Sequence, residues 1–119
     1  MRARNQKTGA RLRLVLKPDF ALGPGKIDLL QGIQDTGSIA AAGRRMGMSY
    51  RRAWLLIEEL NRSFKTPLVA ASKGGAAGGG AVLTATGKQV LQRYRRMEKL
   101  TAKAIGKEWA VLRRLAAPE

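Results

Sequence analysis

The chain has 119 residues and carries 23 Lys and Arg against 8 Asp and Glu, a formal charge of +15 spread along its whole length. Such a balance attracts polyanions and makes nucleic acid or an anionic membrane surface the leading partner class. The absence of cysteine and histidine excludes disulfides, thiolate metal sites, thiol nucleophiles and imidazole bases. With 45% apolar residues the sequence reads as a folded chain, of a length that suits a single domain over residues 1–119. No apolar window reaches membrane-spanning length and no secretory signal opens the chain, so a cytoplasmic protein without a membrane partner is expected.

The first nine residues are polar and basic. In "ARLRLVLK", residues 10–17, Leu12, Leu14 and Leu16 alternate with Arg11, Arg13 and Lys17, which predicts a half-buried strand with a basic outer face. Two prolines and two glycines make residues 18–25 a turn. Residues 26–36 predict a first helix, with Ile27, Leu30 and Ile33 on one face, Asp28 in its first turn and Gly37 as its stop. Ser38 is the N-cap candidate of a short Ala-rich second helix, in which Ile39, Ala42 and Met46 share a face and Gly47 ends it.

After the link Gly47 and Met48, Ser49 can cap a third helix over residues 50–64, with Trp54, Ile57, Leu60 and Phe64 as its core stripe. Pro67 bars continuation. "LVAASK" and "AVLT" then flank a glycine-rich loop as two short strands. Residues 85–115 predict one long helix. Its stripe of Val90, Tyr94, Met97, Thr101, Ala104 or Ile105, Trp109, Leu112 and Leu115 calls for a partner helix.

The second and third helices with their tight link form a helix-turn-helix, in which the second member enters the major groove and its N-terminal residues reach base edges. Ser49, Tyr50, Arg51 and Arg52 occupy that position. An arginine there can bridge guanine O6 and N7. Cations in a first turn oppose the helix dipole, a cost that an anionic ligand offsets. Ser38, Arg44 and Arg45 lie on the helix that crosses the phosphate backbone, although a solvated face accounts for the two arginines nearly as well.

The loop "KGGAAGGG" is not a nucleotide cradle, because a strand follows it where a P-loop requires Lys and a helix. Nor is it a linker, since a second domain is not expected after it. What remains is a β-hairpin wing, with Lys73 at its base to meet phosphate and Gly74, Gly75, Gly78 and Gly79 allowing close backbone approach to DNA.

"GPGKIDLLQGIQDTGSIAAAGRRMGMSYRRAWLLIEELNRSF", followed by "PLV" and "GGAAGGGAVLTATGKQVLQRYRRME", resembles the winged-helix DNA-binding domain of the bacterial molybdate-responsive ModE-type regulators, a LysR-like fold. The resemblance runs from Leu12 to Glu98, and "TGSI", "GMSYRRAW", "LNR" and "GGAAGGGAVLT" are its most specific pieces. It implies a mainly α fold with a small β component: a winged helix-turn-helix over residues 10–84, then a long dimerisation helix over 85–116. It further implies a homodimer joined through those helices, Ser49 to Arg52 in the major groove, and the wing on the backbone or minor groove. Family members carry molybdate-binding domains after the linker helix. This sequence ends at Glu119, so a stand-alone DNA-binding form is expected, without cofactor, metal or small-molecule site.

The expected function is therefore sequence-specific transcriptional regulation on a dyad-symmetric DNA operator, linked to molybdenum metabolism. The alternative is an architectural, nucleoid-type protein that coats DNA without sequence choice. That protein would use the same basic surface, including Arg2, Arg4 and Lys7, but would not need "SYRR" at a helix start. An enzyme is not expected: Glu58 and Glu59 point about 100° apart on a helix and share no substrate position.

Overall fold

The computed structural model describes residues 8–72 and 80–118. The first ladder is a short antiparallel hairpin of β1, Leu14–Lys17, and β2, Phe20–Leu22. It corrects the sequence expectation twice. The register slips between Val15 and Lys17, so Leu12 and Leu14 pack on the core while Leu16 is turned out and exposed. Residues 18–25, expected only to turn, contain β2, whose Phe20 and Leu22 are buried. Phe20 meets Phe64 edge to face, with ring centroids 5.8 Å apart.

Pro24 and Gly25, which disguised that strand, open α1, Pro24–Thr36, where a proline's missing N–H costs nothing. Starting two residues early, α1 has no acidic residue in its first turn; Asp28 lies beyond it and reaches Arg95 instead. The helix ends at Gly37, whose φ of 72° only glycine adopts freely and whose N–H bonds Ile33 O.

Two close crossings set the packing of α1 with α2, Ile39–Arg45, and of α2 with α3, Tyr50–Ser63. A Cβ built on Gly32 would lie 2.8 Å from Ala42 Cβ, and one on Gly43 would lie 3.1 Å from Ala53 Cβ. The small residues of α2 are thus what allows three helices to meet in one core. Of the expected core stripe of α3, Ile57 and Leu60 are buried and Phe64 packs against the core, and only Trp54 departs, its place taken by Ala53. The helix buries Ala53, Ile57 and Leu60, and Trp54, expected inside, is 41% exposed. A side chain the size of indole has no room where the Ala53 methyl touches α2.

Beyond α3, β3, Val69–Ser72, pairs antiparallel with β4, Gly80–Leu83, in the register Val69↔Leu83 to Ser72↔Gly80. The chain then enters α4, Ala85–Ala104, and α5, Gly106–Leu115. The expected single long helix is therefore two. Ile105, with φ −95° and ψ 0°, leaves helical geometry just before Gly106, a weak helix former with no Cβ to hold the turn.

The N-terminal half of α4 belongs to the core. Gly87 rides directly on the Leu68 carbonyl, leaving no space for a side chain. Leu91 and Tyr94 are buried, and the Tyr94 hydroxyl donates to Leu12 O at 2.6 Å. Arg95 then ties α4 to α1, donating to Asp28 at 3.3 Å and to Gln31 at 3.5 Å, and bonds Glu98 on its own helix at 3.1 Å.

Candidate nucleic-acid interface

The link between α2 and α3 is built from hydrogen bonds that the sequence encodes locally. Ser38 Oγ caps α2 by accepting from Ala41 N at 3.1 Å. Gly47 takes φ 69°, with its N–H on Arg44 O, and Met48 N–H bonds Gly43 O. Ser49 Oγ then caps α3 by accepting from Arg52 N at 3.1 Å. These bonds fix the angle at which the exposed N-terminus of α3 leaves the core.

Successive helical residues turn by about 100°, so the residues grouped as "SYRR" do not share a direction. Opposite the buried line of Ala53, Ile57 and Leu60, the outward ridge of α3 carries Arg51, Leu55, Glu58 and Arg62, all exposed. Arg52 lies on one flank. It lines a cleft of about 590 Å³ between α3 and the β1–β2 hairpin, together with Arg13, Lys26, Leu56 and Glu59. Lys26 is fully engaged there, with Nζ 2.7 Å from Ala21 O, 3.5 Å from Glu59 and over the Phe20 ring. On the other flank are Trp54 and, two turns further on, Asn61.

Asn61 secures the second ladder. Its Oδ1 accepts from Leu68 N and Val69 N at 2.9 and 3.1 Å, and its Nδ2 donates to Val69 O at 3.1 Å. Thr84 closes the other strand, donating to Pro67 O at 2.7 Å while capping α4 at Gly87 N. Ala81 N bonds Gly37 O, so β4 is pinned to the end of α1. The motif "LNR" contains Asn61 without indicating this role; its spacing before Pro67 is the only sequence signal for it. The wing residues Lys73, Gly74, Gly75, Gly78 and Gly79 lie outside the described residues, as do Arg2, Arg4 and Lys7.

The remaining candidates divide. Arg44 is exposed, with no ion pair among the described residues. Arg45 bonds Asp35 at 3.1 Å, and Gln31 followed by Arg45 holds the Asp35 carboxyl below its ordinary range. Of the C-terminal stripe, Tyr94 is 1% exposed and absorbed by the chain's own core, so it offers no partner surface; Val90 packs against that core as well. Met97 and Leu112 are exposed, Thr101 and Trp109 are half-buried, and Ile105 sits at the break. Among the described residues no group of three His, Cys, Asp or Glu could hold a metal, and no helix is long and apolar enough to cross a membrane.

A two-helix unit with a tight glycine turn, backed by α1 and followed by a β-ladder, defines a winged helix-turn-helix. The chain belongs to the bacterial regulatory helix-turn-helix proteins of the LysR family, whose pattern matches residues 25–88. It is 39% identical over 100 residues to the molybdenum-pterin-binding protein MopB of Rhodobacter capsulatus, covering 84% of this chain and 33% of that protein. It is 38% identical over 93 residues to the DNA-binding transcriptional dual regulator ModE of Escherichia coli K12, covering 78% and 36% respectively. The chain thus spans about a third of the length of these curated relatives. The fold is similar to the crystal structure of a CbnR_DBD–DNA complex, with a TM-score of 0.58 at 22% identity, over 73% of this chain and 94% of that one.

Proposed function

We propose that the chain binds double-stranded DNA sequence-specifically, as a cytoplasmic transcriptional regulator of the ModE and LysR-like type that works by binding and not by turnover. The observation that carries this is the N-terminus of α3: capped by Ser49, exposed, and presenting Arg51 outward from a helix-turn-helix braced by α1 and α4. Arg51 reads a base edge, Tyr50 and Ser49 flank it, and Arg52 takes a backbone phosphate from the hairpin side. Ser38 and Arg44 meet the opposite backbone. Lys73 with Gly74, Gly75, Gly78 and Gly79 forms the wing contact. Two copies join through Met97, Thr101, Ile105, Trp109 and Leu112 to address a dyad-symmetric operator. The names of the relatives support a link to molybdenum metabolism.

The test is a titration of the full chain against random-sequence and genomic duplexes across salt concentrations. A regulator shows a steep salt slope plus a surviving preference for particular fragments. Equal affinity for every duplex at each salt overturns it in favour of an architectural, DNA-coating protein.

A further inference from the structure

The exposed face of α3 is not uniformly polar. Trp54 is 41% exposed and Leu55 47%, adjacent residues that the core does not need, since Ala53, Ile57 and Leu60 fill it. Leu55 lies on the outward ridge between Arg51, one turn before it, and Glu58, one turn after it, with Arg62 a turn further on. Trp54 lies on the flank shared with Asn61, which holds the root of the β3–β4 ladder. This apolar patch has Tyr50 and Arg51 on its N-terminal side and Glu58 and Arg62 on its C-terminal side, and on a chain of charge +15 the occupant that the overall charge favours is a DNA groove. The apolar feature a major groove offers is the 5-methyl group of thymine.

We infer that Leu55 and Trp54 read thymine methyl groups, so that α3 specifies T·A pairs through apolar contact beside the base edge addressed by Arg51. This rests on the DNA-binding reading and goes beyond it by naming the base and the atom recognised. Burying one methyl group contributes about fourfold in affinity per contacted thymine. Uracil, which differs from thymine only by that methyl, removes the contact and leaves base pairing intact.

Duplexes selected from a random pool by the full chain are altered one thymine at a time to uracil, and affinities are measured for the wild type, Leu55→Ala and Trp54→Ala. The expected result is a roughly fourfold loss at one or two positions per half-site for the wild type, with the loss absent at the corresponding position in a variant. The inference is overturned if no uracil substitution weakens wild-type binding, a result that needs no variant to fold. It is equally overturned if the variants keep the full uracil penalty, or if they keep wild-type DNA affinity but lose self-association, which makes the patch a protein interface. A wild type that selects no sequence at all strikes the underlying DNA-reading proposal, and this inference with it.

Discussion

Helices α3 and α5 have similar sequence patterns, apolar residues at helical spacing among basic ones, yet α3 buries Ala53, Ile57 and Leu60 while none of the residues of α5 is buried. The difference lies in what each helix follows. The Gly47–Met48 link folds α3 back onto the small residues of α2, whereas α5 continues from α4 past the part that packs on α1. Amphipathicity shows that a helix needs cover. Only the connection before it decides whether the same chain supplies that cover.

Matched glycines give the largest test of this contrast. Gly87→Ala drives a methyl into the Leu68 carbonyl and should cost about 3 kcal/mol. Gly106→Ala faces open space and should stabilise by up to about 1 kcal/mol. Gly87 lies in the packed half of α4 and Gly106 opens the uncovered α5; chemical denaturation of both variants decides it, and equal effects would erase the distinction between covered and uncovered helix. Asn61→Ala leaves Leu68 N and Val69 N without their partner and should lose about 2 kcal/mol, read from the same denaturation curves.

Leu112→Lys should leave the denaturation midpoint of dilute protein nearly unchanged but weaken self-association at least about tenfold by sedimentation, about 1.4 kcal/mol. Unchanged association would mean that α5 is not the joining surface. Ser49→Ala removes the cap of α3 and should cost about 1 kcal/mol of stability; a larger fall in DNA affinity would show that the hydroxyl also meets the ligand.

The smallest effect concerns alkaline pH. Burial, and then the charge of Glu98, raises the Tyr94 hydroxyl above its ordinary 10.0. A folded value above the unfolded one gives a contribution that is complete below pH 10.0 and fades as pH climbs through the folded value. Stability should therefore fall more steeply above that pH in the wild type than in Tyr94→Phe, measured by denaturation at a series of alkaline pH values.

Much of the helix-turn-helix was legible because its signals are local: Ser38, Gly37, Gly47 and Ser49 act within four residues of themselves. The β3–β4 ladder was legible from Pro67 before it and the glycine-rich loop between its strands, although Thr84, read as strand, caps α4 instead. Features decided at a distance were not. The place of Trp54 depends on Ala53 meeting Gly43, and that of Tyr94 on the Leu12 carbonyl. The β2 strand was hidden by prolines and glycines that belong to its neighbours. The break at Ile105 was masked by a stripe that keeps its spacing across Gly106. At the candidate interface all four residues of "SYRR" are exposed, but grouping them as a unit obscured that Arg51 and Arg52 face different sides of α3.

The close approach of Gly32 to Ala42 has a consequence for how this sequence can change. The two positions share room for a single methyl group, so Gly32→Ala alone meets a filled space, while Ala42→Gly alone opens one. Made together they remove the contact between the two methyl groups but leave the new one 3.1 Å from the Cα of residue 42, so the pair should cost less than the sum of its parts without becoming neutral. In mutational terms the two residues behave as one site with two addresses, open to paired substitution and closed to gradual drift.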